Sequence, residues 1–256
     1  MPTSPTESFV RDLPKQQTVL YSGGDATSVN IRGEGCKQPK LSVTYELELD
    51  RIVQRRYAGG FLDRDEYGRW WKGSAEELRM RRDTQYVVIH DGADILWTIT
   101  SDIFPQAIQI LDWYHAKERL FTIGKKVFGE ESQEATNWSK AVETLLWEGE
   151  IQKVIDAIKK LKPKNKNAKD YVRQSIGYYN DNEHRMDYPN YRKQGYNIGS
   201  GPVEGGACKN VVGDRLKRTG MRWSKIGAHS MIQARASLLD DSLTSFWKDR
   251  YAISLP

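Results

Sequence analysis

"QYVVIHDGAD", residues 85–94, carries the most decisive pattern in the chain. From Tyr86 to Ile89 the run is apolar without interruption and rich in β-branched residues. A half-buried strand alternates polar and apolar positions. An unbroken run belongs to a strand covered on both faces, and hence to the interior of a sheet with helices packed on it. The run stops at Asp91-Gly92, a turn dipeptide that leaves a carboxylate at the end of the strand. Taken alone, that carboxylate is explained by turn chemistry.

Upstream, "QTVLYSGG" (17–24) reads as a short strand stopped by a glycine pair, "TSVNIR" (27–32) as another, and "GEGCKQP" as a turn by composition. "KLSVTYELELD" alternates from Leu41 to Leu49, the period-two pattern of a half-buried strand. "QRRYAGGF" is read as an extension of the sheet, and residues 64–82 as a helix with Trp70, Trp71 and Leu78 on one face. Downstream, "ILWTITSDIF" is a short helix and "AIQILDWYH" a buried strand that turns helical near Trp113. Residues 116–181 then change character. They hold helical patterns separated by glycines, with Ile151, Val154, Ile155 and Ile158 forming one apolar stripe. A fourth helix is expected over 168–181, a glycine-rich turn over 195–201, and helices near 202–212, 224–240 and 242–250. The expected class is α/β: a mobile arm over 1–16, the first part of a core over 17–115, an all-helical insertion over 116–181, and the second part of the core over 182–256.

With 256 residues and 38% hydrophobic content, the chain is long enough to bury a substantial core. No stretch approaches the roughly 18 consecutive apolar residues of a membrane span, and the first residues do not resemble a secretory signal. Cys36 and Cys208 are the only cysteines and form no metal-binding spacing, which fits a reducing, cytoplasmic setting. The net charge of +5 is concentrated. Lys209, Arg215, Lys217, Arg218, Arg222 and Lys225 face a single acid, Asp214, so that this stretch equals the whole excess. A second basic cluster runs from Lys153 to Arg173. Either is explained by a solvated helix face; clustered in one half of the chain, they also suit a polyanion.

Three carboxylates stand at element ends. Asp91 closes the buried strand, Asp25 follows the strand "VLYSGG", and Glu204 follows Gly201-Pro202, where proline suits a first helical turn. Each has a plain local explanation, as a turn residue or as an acid favoured by the helix dipole. Brought together they would repel one another unless a cation lay between them. Oxygen ligands without His or Cys select Mg2+ or Mn2+ over zinc, and a pair of such ions suits phosphodiester chemistry. The bases after Glu204 would then hold DNA phosphates. Asp112 and His115 are three residues apart, on one helical face; a capping Asp beside an ordinary His is the simpler account. His90, His184 and His229 read as structural or surface residues.

The blocks "DATSVNIRGEGCK", "VVIHDGAD", "FPQAIQILDWYHAKERL" and "YRKQGYNIGSGPVEGGACKNVVGDRLKRTGMRWS" resemble, in this order, those of ISKra-type insertion-sequence transposases, over roughly residues 19–250. The resemblance implies a DDE enzyme with an RNase H-like mixed sheet flanked by helices. It implies that Asp25, Asp91 and Glu204 match the acidic triad, binding Mg2+ or Mn2+, and that Asp112 and His115 match the Asp-x-x-His element after the second acid. Residues 116–181 would be the helical insertion before the third acid. The implied activity is DNA cleavage and strand transfer that moves an insertion sequence. The implied partners are element ends and target DNA, on which the protein forms a homo-oligomer in the prokaryotic cytoplasm, associated with the nucleoid; no membrane is involved. The chain has Ala26 where the family has glycine after its first acid, and by this resemblance it is expected to lack the family's N-terminal DNA-binding region. A truncated or domesticated relative that binds DNA without transposing is the alternative; a simple nuclease and a two-carboxylate glycosidase fit less well.

Overall fold

The computed structural model describes residues 19–49, 51–78 and 84–251. The arm expected over 1–16 and the last turn expected for the helix at 64–82 fall outside these residues. In chain order, β1 (Val19–Ala26) precedes a small hairpin, β2 (Val29–Ile31) and β3 (Gly35–Lys37), followed by β4 (Lys40–Glu48) and β5 (Arg51–Gly60). Helix α1 (Arg64–Glu77), β6 (Gln85–His90), α2 (Asp94–Ile103) and β7 (Ile108–Leu111) come next. The helices α3 (Trp113–Phe128), α4 (Gln133–Trp147), α5 (Ile151–Lys159) and α6 (Lys166–Asp181) lead through a 3-10 turn, Glu183–Arg185, to α7 (Tyr188–Lys193). No strand falls between residues 116 and 181. A π-helical segment, Pro202–Gly213, runs into α8 (Asp214–Leu216), and α9 (Lys225–Leu239) and α10 (Ser242–Tyr251) close the described chain.

The fold is mixed α/β. Its main sheet has five strands in the order β5-β4-β1-β6-β7. β5, β4 and β1 are antiparallel neighbours, whereas β1, β6 and β7 run parallel. Alternate side chains of the buried strands serve two separate cores, as the apolar run at 86–89 requires. Tyr86 and Val88 join Leu20, Tyr67, Trp71, Leu96, Ile99 and Phe104 under α1 and α2. Val87 and Ile89 join Tyr21, Leu41, Val43 and Tyr45 under the helical block, the π-helical segment and α9. Side-chain caps fix several helix starts: Asp63, Ser132, Asn165 and Ser224 each accept a hydrogen bond from a first-turn amide.

Three expectations are corrected. The Gly23-Gly24 pair does not stop β1 but lies inside it, so Asp25 is a strand residue and not part of a hairpin turn. The pair is there for packing: a Cβ on Gly23 would lie 2.5 Å from both the Ile89 carbonyl oxygen and Val203 Cγ2. The strand at 41–49 is not half-exposed. Leu41 to Tyr45 are buried throughout, because the polar positions are hydroxyls that find partners. Thr44 Oγ1 lies 3.1 Å from Ser74 Oγ and 3.2 Å from Ser22 Oγ, and Trp71 Nε1–H donates to Ser22 at 2.6 Å. Finally, "GEGCKQP" contains β3, which pairs with β2 apart from the main sheet.

Candidate functional site

β1 and β6 are in parallel register from Val19↔Gln85 to Ser22↔Val88, and β6 and β7 from Val87↔Ile108 to His90↔Leu111. Carried forward at the same offsets, these registers set Asp25, Asp91 and Asp112 in one row across three adjacent strand ends. Two bonds tie these ends together: the Gly24 N–H donates to His90 Nδ1 and the Asp112 N–H to the His90 carbonyl, at 3.2 and 2.7 Å. All three acids are at the carboxyl ends of parallel strands, where open α/β sheets form their binding crevices.

Hydrogen bonds lock the row. Asp25, half-buried, accepts the Ala26 N–H at 2.6 Å on Oδ1 and the Cys208 thiol at 3.2 Å on Oδ2. Asp91, also half-buried, caps its own turn by accepting the Ala93 N–H at 3.0 Å. Gly92, with φ of +102°, lets the chain turn there. His90, the last residue of β6, is almost fully buried and reaches across to β1. Its Nδ1 accepts the Gly24 N–H at 3.2 Å, and its Nε2 lies 2.9 Å from Thr100 Oγ1. Burial holds the imidazole at a pKa of about 3, against its ordinary 6.5, so the ring is neutral with its Nε2 proton toward Thr100.

Asp112 differs from the other two. It is 1% exposed and both its oxygens face protein donors. Oδ1 takes the His115 N–H at 2.8 Å and lies 3.2 Å from His115 Nδ1, while Oδ2 takes the Ser200 N–H. Burial pushes its carboxyl up, but the bonds from His115 and Ser200 outweigh that and hold it below the usual carboxylate range. Asp112 therefore caps α3 and clamps the glycine-rich turn at 195–201 onto β7, helped by the Trp113 N–H to Ile198 carbonyl bond at 2.9 Å. His115 joins the site through Asp112.

Glu204 lies in the π-helical segment; its side chain is outside the described part of the structure. The segment itself crosses the site. Val203 packs against Gly23, and Cys208 reaches Asp25. Among the described residues, no group of three His, Cys, Asp or Glu side chains gathers as a metal centre.

The six expected bases differ in exposure and surroundings. Lys209 is exposed on the rim of an open groove of about 530 Å³ with Arg55, Tyr57 and Pro202. Lys217 and Arg218 line another, of about 590 Å³, with Arg235. Arg222 and Lys225 are exposed. Arg215 is turned inward, its guanidinium 5.3 Å from the Trp223 ring centroid and its Nη1 3.8 Å from Met221 Sδ. The loop carrying these bases is sewn to the hairpin that follows Asp25. Ile31 bridges Trp223, the Arg32 N–H donates to the Trp223 carbonyl at 2.9 Å, and Lys217 Nζ donates to Thr27 Oγ1.

His90, read as structural or surface, is a buried structural residue that ties the two strand ends together. One contributor escaped the sequence reading. Tyr178, whose hydroxyl donates to the Asp91 carbonyl at 2.9 Å, lies 87 residues away, with no local signal.

No protein-family profile and no curated protein matches the chain. No helix among the described residues is long and apolar enough to cross a membrane.

Proposed function

We propose that the chain is the catalytic core of a DDE-type transposase, with an RNase H-like sheet, that cleaves DNA phosphodiesters and joins a 3′ hydroxyl to target DNA. The observation that carries this reading is the parallel pairing of β1 and β6 together with the Gly24 N–H to His90 Nδ1 bond, which ties the residue before Asp25 to the residue before Asp91 at the carboxyl ends of adjacent strands. The described donors fit a hard divalent cation in kind: they are carboxylate oxygens, half-buried, with no imidazole in the pair. Asp25, Asp91 and Glu204 would hold Mg2+ or Mn2+. Such ions, when bound, activate an attacking oxygen and stabilise a leaving one.

The chain's own residues do the rest. His90 fixes the spacing of the two strand ends while remaining uncharged. Asp112 holds the glycine-rich turn that leads into the π-helical segment, and so sets where Glu204 enters. Lys217, Arg218 and Arg222, on the loop sewn to the hairpin after Asp25, contact phosphates and position DNA without reading its sequence. A homo-oligomer on DNA is part of this reading, since strand transfer brings element ends and target together.

Nicking of supercoiled plasmid tests the proposal. Wild-type protein is expected to nick with Mg2+ and not after chelation. Asp91→Asn, which removes charge and keeps volume, is expected to abolish nicking while duplex binding and the melting temperature persist. Wild-type nicking rates in Asp91→Asn would refute the mechanism. Duplex binding with no nicking by the wild type would favour a DNA-binding relative that does not transpose.

A further inference from the structure

We infer that Arg119 binds a phosphate of the substrate strand beside Asp91, so that the helical block supplies a contact to the site. The inference rests on the function proposed above.

Arg119 lies on α3, one turn beyond His115, and is half-buried. Its guanidinium carbon stands 4.1 Å from the Tyr178 ring centroid and 5.6 Å from that of Tyr171, and its Nη1 is 3.4 Å from Ser175 Oγ. Tyr178 connects it to the carboxylate row. The tyrosine hydroxyl donates to the Asp91 carbonyl at 2.9 Å, and its ring lies against the next residue, where a Cβ on Gly92 would meet Tyr178 Cε2 at 2.5 Å. One aromatic ring therefore separates Arg119 from the backbone of Asp91. The charges agree with this placement. Burial pushes the Tyr178 hydroxyl up, Arg119 opposes the shift, and Asp91 and Asp112 add to it.

Among the described residues, Arg119 forms no ion pair. Lys117, two residues earlier, has Glu143 at 2.7 Å. A partly withdrawn guanidinium with five donors, engaged by Ser175 and by the Tyr178 hydroxyl, is left without the anion that usually accompanies it. Two features point to phosphate as that anion. The planar fork matches two phosphate oxygens, and contacts with Tyr178, Tyr171 and Ser175 hold the guanidinium in place before the ligand arrives. A phosphodiester approaching Asp25 and Asp91 also meets negative charge, which a cation on the far side of Tyr178 offsets. The bases on the loop after Gly213 approach from the hairpin side of Asp25, and Arg119 from the α3–α6 side of Asp91. The substrate strand would pass between these two walls.

The test is the salt dependence of binding to a short labelled duplex, followed by anisotropy without divalent metal, so that cleavage plays no part. Arg119→Ala is expected to flatten the log–log slope by about 0.9, the value for one phosphate. Arg119→Lys, which keeps the charge, should restore the slope, and Tyr178→Phe, which keeps the ring, should leave it unchanged. Melting curves report folding alongside. Where the alanine variant does not melt cooperatively, Arg119→Gln, uncharged but of similar reach, takes its place. A purely structural stack predicts a lower melting temperature with the wild-type slope, and that result overturns the inference. Wild-type protein that binds duplex but never nicks refutes the catalytic reading alone, because the Arg119 slope still decides this one. Wild-type protein that binds no duplex refutes both.

Discussion

The Nδ1 atom of His90 accepts the Gly24 N–H at 3.2 Å, so the residue before one candidate carboxylate holds the residue before the other. This bond crosses between β6 and β1 where the strands end and ladder pairing gives way to turns. It uses an imidazole that must stay neutral, because a protonated Nδ1 would point a hydrogen at the Gly24 N–H.

That requirement predicts an acid sensitivity. The folded-state pKa of about 3 lies below the ordinary 6.5, so between these values the unfolded chain binds the extra proton. Stability contributed by the neutral ring is complete above about 6.5 and declines as pH falls toward 3. Each unit of that window costs up to about 1.4 kcal/mol, so the contribution of the neutral ring should fall by about 2 kcal/mol between pH 7 and 5 in metal-free protein. Urea unfolding at the two pH values measures it. His90→Gln, uncharged throughout, should lose about 2 kcal/mol less across the same interval. Equal losses would show that His90 does not titrate as a buried neutral base.

A second prediction concerns Gly23. Alanine there places a methyl group 2.5 Å from the Ile89 carbonyl oxygen and from Val203 Cγ2. One neighbour is backbone of the adjacent strand and cannot give way. The other is the first buried side chain of the π-helical segment. Gly23→Ala is expected to cost about 1–3 kcal/mol in chemical denaturation, the usual range for overpacking. Faster hydrogen exchange should follow at Val203. An unchanged midpoint would mean that the segment does not rest on β1.

The basic loop supports a prediction that separates two roles within one charge cluster. Arg215 packs on Trp223 and Met221, whereas Arg218 and Arg222 are exposed. Arg215→Ala should lower stability by about 1 kcal/mol, through lost stacking and stem packing, with the salt slope of DNA binding nearly unchanged. Arg218→Ala combined with Arg222→Ala should leave stability within about 0.5 kcal/mol and flatten the slope by about 1.8, two phosphates' worth. A flattened slope in the Arg215 variant would place that side chain on DNA instead.

Much of the α/β pattern was legible because burial and periodicity speak locally. The apolar run at 86–89 announced an interior strand, and the stripe Ile151, Val154, Ile155 and Ile158 announced a buried helix face. The errors share a cause. Gly23-Gly24 looked like punctuation because a missing side chain signals a turn, yet here it makes room for neighbours at Ile89 and Val203. Ser42 and Thr44 looked like a wet face because hydroxyls usually seek water, yet theirs bond to Ala58 and Ser74 under α1. In each instance the partner is too distant in sequence for a periodicity window to see. The candidate site divides the same way. Asp25 and Asp91 could be named from strand ends, but the contacts from Tyr178, Cys208 and His90 that fix them are tertiary.

The seat of Val203 on Gly23 also has a consequence for synthesis. All five strands of the main sheet have left the ribosome once Leu111 emerges, whereas the segment that covers β1 begins at Pro202. At about 5–20 residues per second, roughly 5–20 s separate the two events. Through that interval the groove over Gly23 and Ile89 stands open on a nascent chain, with apolar strand surface beside it. A neighbouring copy or a chaperone has that time to occupy it before Val203 arrives.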